Sequence, residues 1–268
     1  MDVVIVDGPE PLGHRAAALV LRELRADREL VLGVATGSTP ATTYRALVRA
    51  RHEGVDFSEV RCVALDEYVG IATSDPRAYR AVVRREIADP LGVRPENVLV
   101  PDGNAADLVQ AADAFEAAVR RLGGVGIQLL GIGRNGHLGF NEPGSAFGSR
   151  TRLAELSATT RADNARFFDR PEDVPEHCLT QGLGTIMDAS KIVLLASGRH
   201  KADAVAAAVQ GPVVETCPAS VLQRHPDVTL ILDREAAGSL TASTDTGGPT
   251  GPAQRGGAGP VEISDRSQ

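Results

Sequence analysis

Three stretches of this chain carry side chains that can move protons or hold an anion. The longest, Gly131-Ile132-Gly133-Arg134-Asn135-Gly136-His137-Leu138-Gly139-Phe140-Asn141-Glu142-Pro143, follows an apolar run and delivers a histidine and a glutamate five residues apart. Imidazole exchanges protons near neutral pH, and a neighbouring carboxylate can fix its tautomer and adjust its basicity. Glycines after a strand also let the backbone approach a ligand closely. In the second stretch, Asp66-Glu67-Tyr68 stands directly after Val63-Ala64-Leu65. A carboxylate there can act as a general base, with Asp66, first out, the better candidate and a solvated loop acid the plain alternative. The third, Thr36-Gly37-Ser38-Thr39-Pro40, lies between an apolar run and a helical pattern. Amides and hydroxyls at the positive end of a helix dipole suit a phosphate. An ordinary turn in which Ser38 or Thr39 caps the helix is the alternative. No Gly-Lys-Ser/Thr follows, so this is not a Walker motif.

Arg161, Arg166 and Lys201 are further candidates for an anion site, although Arg161 reads as a solvated surface position, as most arginines of so arginine-rich a chain do. Lys201 is one of two lysines in the chain and opens a helix that follows a strand. The remaining histidines, His14, His52, His177, His200 and His225, form no compact ligand pattern, so no metal is expected.

These residues need elements to place them. Apolar residues at helical spacing from Pro11 to Leu24 precede the continuous run Leu30 to Ala35, which reads as a strand buried on both faces. Further helices are expected over Ala41–Ala50, Ala78–Ile87, Ala105–Leu122 and His200–Val209, and further strands over Val60–Leu65, Ile127–Leu130, Lys191–Ala196 and Val228–Leu232. Strands alternating with helices predict an α/β fold, an open and mostly parallel Rossmann-like sheet with helices on both faces. Function then gathers at the carboxyl ends of the strands. Between Asn141 and Thr180 no strand is expected, only an excursion of loops and helices over the site. Residues 1–237 form one domain, and 238–268, rich in Gly, Pro, Ser and Thr, are expected to be a disordered tail.

The 268 residues include 28 Lys and Arg against 35 Asp and Glu, a formal net charge of −7, so nucleic acid is not an expected partner. With 43% hydrophobic residues the chain can bury a sizeable core without staples. The three cysteines, Cys62, Cys178 and Cys217, lie far apart and lack a CxxC spacing, which points away from disulfides and towards a reducing cytoplasm. No stretch approaches the roughly 20 apolar residues of a membrane span, and Met1-Asp2-Val3-Val4 opens no leader, so neither membrane association nor export is expected.

From Val31 to Glu235 the chain resembles the glucosamine-6-phosphate deaminase family in five ordered segments. They are Thr36 to Pro40, Leu65-Asp66-Glu67-Tyr68-Val69-Gly70, Gly131 to Pro143, Ser149-Arg150-Thr151-Arg152 with Asn164-Ala165-Arg166-Phe167-Phe168, and Gly198 to Lys201. The resemblance implies an isomerising deamination without a cofactor, in which glucosamine 6-phosphate and water give fructose 6-phosphate and ammonia. It implies that His137 opens the pyranose, Glu142 and Asn135 orient and tune it, and Asp66 takes the C2 proton. Gly37, Ser38, Thr39, Arg166 and Lys201 match positions that hold the phosphate. Asn135 stands where some members have aspartate and can orient but not accept a proton. Arg152 and Ser145 match part of the effector cluster of allosteric members, but Ala154 replaces a lysine there, so weak or absent activation is expected and a homo-oligomer is left open. Two other readings stand beside this one: a 6-phosphogluconolactonase-like hydrolase on a similar fold, and a sugar-phosphate sensor without turnover.

Overall fold

The computed structural model describes residues 1–241 and, for the backbone, 262–265. The chain forms β1 (Asp2–Val6), α1 (Pro9–Ala26), β2 (Val31–Val34), α2 (Ser38–His52), β3 (Arg61–Ala64), β4 (Asp66–Tyr68) and α3 (Tyr79–Val83), which runs through a π-turn into α4 (Asp89–Leu91). There follow β5 (Val98–Leu99), α5 (Leu108–Arg121), β6 (Ile127–Gly131), β7 (Arg152–Glu155), α6 (Ala158–Asn164), β8 (His177–Thr180) and α7 (Leu183–Met187). The series closes with β9 (Lys191–Ala196), α8 (Ala202–Gln210), β10 (Val228–Asp233) and β11 (Glu262–Asp265).

Among the described residues eight strands form one sheet in the order β11-β1-β10-β9-β6-β2-β3-β5, and every pairing in it is parallel. The continuous apolar runs follow from burial on both faces. In β6, Leu129 faces the core formed with Leu12, Val20 and Leu47 of α1 and α2, while Leu130 faces the core formed with Phe115 of α5, Leu183 of α7 and Val205 of α8. Successive residues point to opposite sides, so both must be apolar. β2 and β6 are neighbours, yet the chain leaves them in opposite directions, towards β3 and towards β9. Their exit loops diverge and open a crevice between them, the usual ligand position in such sheets.

A second, antiparallel sheet of order β4-β8-β7 stands beyond these carboxyl ends. It corrects the expectation that 141–180 holds no strand. β7 and β8 are four residues each, and β7 alternates half-buried and exposed positions with Arg152 and Glu155 at its ends, so no apolar run announces it. β1 and the two-residue β5 were likewise not anticipated. α5 begins at Leu108 rather than Ala105 because the Asp107 side chain accepts hydrogen bonds from the amides of Val109 and Gln110 and so caps the helix there.

Two parts of the expected tail from 238 are among the described residues. Leu240 packs on the core and the Thr241 amide donates to Gln210 Oε1 at 3.1 Å. Glu262–Asp265 pair in parallel with β1 at the edge of the sheet. The rest of the expected tail, 242–261 and 266–268, lies outside the described residues. No helix among the described residues is long and apolar enough to cross a membrane.

Candidate active site

The chain passes from the parallel sheet into the antiparallel one at a single step, Leu65 to Asp66. Leu65 is held by the Gln181 amide, which donates to its carbonyl at 2.7 Å, and Asp66 then pairs with Thr180 across β8. Asp66 and Glu67 are adjacent and both buried, but their surroundings differ. Glu67 accepts from the amides of Tyr68 at 2.9 Å, Tyr79 at 2.8 Å and Arg80 at 2.8 Å, so it anchors the first turn of α3. Asp66 accepts no side-chain or amide hydrogen bond among the described residues. Burial, and secondly the negative charge of Glu67, push its carboxyl up to about 8. Sequence position favours Asp66 as the first acid out of the strand; the amides of α3 supply the physical difference between the two.

The histidine loop leaves β6 in a tight turn, closed by Gly133 N–H to the His137 carbonyl at 2.9 Å and Gly136 N–H to the Gly133 carbonyl at 3.1 Å. Gly133 is required here, because a Cβ on it would lie 2.3 Å from the His137 ring. The loop then crosses Asp66: a Cβ on Gly139 would stand 3.5 Å from Asp66 Oδ2 and 3.1 Å from Thr180 Oγ1. Thus the loop that carries His137 passes over the predicted base, which a different strand carries. Asn141, wholly buried, secures the loop by donating to the carbonyls of Leu138 at 2.9 Å and Gln181 at 2.7 Å.

His137 Nδ1 lies 3.8 Å from Glu142 Oε2, a charge contact rather than a hydrogen bond, and the nitrogen is buried without a partner. Burial lowers the imidazole's pKa below its ordinary value, Glu142 opposes this, and the Lys201 charge adds to it, so the ring is neutral at neutral pH. Glu142 is held in turn by Asn135 Nδ2 at 2.8 Å, Ser157 Oγ at 3.0 Å and Thr160 Oγ1. Asn135 therefore braces Glu142, and its Oδ1 accepts from the His137 backbone amide at 3.3 Å; it does not bond the ring. The expectation that Asn135 orients the imidazole directly is replaced by one in which it acts through Glu142.

On the other side of the crevice Gly37, with φ 113°, is the N-cap of α2, and no side chain caps the helix. Ser38 and Thr39 are therefore in its first turn, and the reading that either caps the helix is set aside. Thr36, two residues ahead of this fifteen-residue helix, reaches Tyr79, whose hydroxyl meets that of Tyr68 at 3.2 Å. Lys201 follows β9, one strand beyond β6, and is half-buried. Burial lowers its pKa, with Arg134 and Arg166 adding to the effect and Asp163 opposing it, so these charges share one field. Arg166 is exposed and lies over the Phe167 ring at 4.8 Å, whereas Arg161 pairs with Glu176 at 3.5 Å, away from the anion role.

Several participants were not foreseen: Ser157, Thr160, Asp163, Asn164 and Thr180. α6 presents Thr160 to Glu142, Asp163 to Arg134 and Asn164 to the Tyr68 hydroxyl, at helical spacing i, i+3, i+4. Nothing in their local sequence marks them, because each acts through a partner far along the chain. Arg152 donates to Asn141 Oδ1 at 2.7 Å and Ser145 Oγ at 3.2 Å, tying β7 to the histidine loop. Among the described residues no group of three or more His, Cys, Asp or Glu is placed to hold a metal ion.

The family described as glucosamine-6-phosphate isomerases/6-phosphogluconolactonase matches residues 9–231. The chain is 52% identical to a glucosamine-6-phosphate deaminase of Cutibacterium acnes and 50% identical to one of Streptomyces coelicolor, in each case over 90% of this chain and 93% of the relative. A solved structure of a monomeric glucosamine-6-phosphate deaminase superimposes with a TM-score of 0.87 at 41% identity, covering 90% of this chain and all of the other. A 6-phosphogluconolactonase from Trypanosoma cruzi, 22% identical over 90% of this chain and 97% of its own, has a TM-score of 0.71 and shares the fold.

Proposed function

Since the chain belongs to the glucosamine-6-phosphate isomerase and 6-phosphogluconolactonase family, we propose that it is the deaminase, converting glucosamine 6-phosphate and water to fructose 6-phosphate and ammonia. The observation that carries this reading is Asp66: a buried carboxyl with no hydrogen-bond donor among the described residues, raised to about 8, beside the loop that bears His137. A carboxylate so placed is a stronger base than a solvated one, as removal of a carbon-bound proton requires. It also lacks a positive partner, and the ammonium at C2 of an amino sugar supplies one next to the proton to be removed. A lactone brings no such charge, so the amino-sugar reading accounts for the site better than the hydrolase reading.

The phosphate is held by the α2 amide end at Gly37, Ser38 and Thr39 with Arg166 and Lys201, which fixes the far end of the sugar and orients C1 and C2. Neutral His137 takes the proton of the C1 hydroxyl and returns it to the ring oxygen, breaking the C1–O5 bond and leaving an open-chain aldehyde. Glu142, braced by Asn135, Ser157 and Thr160, stabilises the imidazolium that forms on the way. Asp66 then removes the C2 proton; the C–H electron pair forms the C1–C2 double bond of an enolamine while the C1=O π pair moves to O1, which takes a proton from the C2 ammonium. Protonation at C1 leaves a C2 imine with a hydroxyl on C1. Water adds to C2 and ammonia leaves, giving the ketose.

The reaction needs no cofactor and no second macromolecule, and a single chain contains every residue named. The test is to incubate the purified chain with glucosamine 6-phosphate and measure ammonia and fructose 6-phosphate together. Equal amounts of both support the deaminase; hydrolysis of 6-phosphogluconolactone in their place supports the other branch, and binding without turnover the sensor.

A further inference from the structure

The cationic side of the crevice already holds an anion of the protein's own. Asp163 Oδ2 lies 3.8 Å from Arg134 Nε, and the charge of Asp163 also bears on Lys201, His200 and His137. Arg134 belongs to the histidine loop and Asp163 to α6, so the pair bridges two segments that the sequence keeps about thirty residues apart. Neither side chain is buried: 58% of the Arg134 and 41% of the Asp163 side chain is exposed, so an incoming anion can reach the pair. The same helix is fixed by Thr160 on Glu142 and Asn164 on Tyr68, contacts that hold Asp163 at the cation cluster.

We propose that Asp163 is an internal counter-ion that competes with the substrate's phosphate, and that Arg134 is an additional phosphate-positioning residue released by that competition. This rests on the sugar-phosphate reading above and deepens it. A phosphate dianion entering beside Lys201 and Arg166 repels Asp163 and attracts Arg134, so the Arg134–Asp163 contact weakens as the ligand binds. The carboxylate sets a ceiling on phosphate affinity, which favours release of a product that keeps its phosphate. Without it Lys201, Arg134 and Arg166 would hold inorganic phosphate and both sugar phosphates more tightly.

The experiment measures inorganic phosphate binding by titration calorimetry, and inhibition by phosphate and fructose 6-phosphate in the ammonia-release assay. Asp163→Asn is expected to tighten phosphate about three- to fivefold, the range that a half-exposed charge pair allows, and to lower KM and the product inhibition constant together. Arg134→Gln is expected to weaken phosphate, and adding Asp163→Asn to it is expected to gain less than in the wild type. Asp163→Glu, which keeps the charge, should stay near the wild-type value. Asp169→Asn removes the same charge from a side chain 96% exposed in the same segment and serves as the control. Equal or weaker phosphate binding in Asp163→Asn overturns the proposal, as does an equal gain in Asp169→Asn, which would mean a general charge effect. Because phosphate binding is read without turnover, failure of the deaminase reading shows only in the ammonia assay, and failure of the counter-ion shows in the calorimeter.

Discussion

The two sheets of this protein are built on opposite terms. In the parallel sheet, β9 is buried at all six positions and β6 at four of five, and their neighbours are apolar side chains from helices on both faces. In the antiparallel sheet β4 consists of Asp66, Glu67 and Tyr68, all buried, and β8 ends at Thr180, also buried. The parallel sheet gains stability from the apolar residues it buries, with Gln128 and Lys191 the polar exceptions in these two strands, while the antiparallel sheet centres on groups that prefer water. The proposed base sits where burial is costly, and that burial is what raises its carboxyl.

Substitutions in the two sheets should therefore separate activity from stability. The largest effect is expected from Asp66→Asn, which should reduce turnover by about 10³-fold or more, in line with loss of a general base, while sugar-phosphate binding persists. The same substitution should stabilise the fold. Asp66 ionises near its ordinary value when unfolded but only at about 8 when folded, so the folded state binds the extra proton between those pH values and stability falls as pH rises through that window. The gain of Asp66→Asn in thermal melts should thus grow from about pH 4 to about pH 8 and then level off. A gain that is flat with pH would contradict the raised carboxyl.

In the parallel sheet, Leu130→Ala should cost about 2–5 kcal/mol of unfolding free energy, measured by denaturant titration, with the folded fraction keeping its kcat. Next in size, His137→Gln is expected to slow cyclic substrate about 10²-fold and an open-chain analogue much less, as rapid-mixing kinetics can show. Equal slowing of both would remove ring opening from its role. Asn135→Ala should be milder, about tenfold in kcat with KM little changed, since it leaves Glu142 with the hydroxyls of Ser157 and Thr160. In the pH profile, kcat/KM should rise towards about pH 8 as Asp66 ionises in the free enzyme, and this limb should vanish in any residual activity of Asp66→Asn.

Much of the parallel scaffold was legible because its signal is local. Lys191–Ala196 was read with its observed bounds, and Val31–Val34, Arg61–Ala64, Ile127–Gly131 and Val228–Asp233 lie within a residue of the expected runs. β7 and β8 were missed because a four-residue antiparallel strand with charged ends carries no periodicity of its own, and β1 because five residues at the chain start give too little pattern. Of the site, His137, Glu142, Asp66 and the turn at Gly37 could be chosen from their place after apolar runs. The amides that occupy Glu67, and the part played by α6, could not.

By itself the sequence determined which runs of residues must be strands buried on both faces, which loops must leave their carboxyl ends, and which side chains in those loops can exchange protons or hold a phosphate. Those properties depend on neighbours a few residues away. Tertiary structure alone decided that the amides of Tyr79 and Arg80 occupy Glu67 and leave Asp66 without a donor, that Gly139 brings the histidine loop over that acid, and that Asp163 stands among the cations. The basicity of a carboxyl and the affinity of a cation depend on what surrounds them in space, and here those surroundings come from segments distant along the chain.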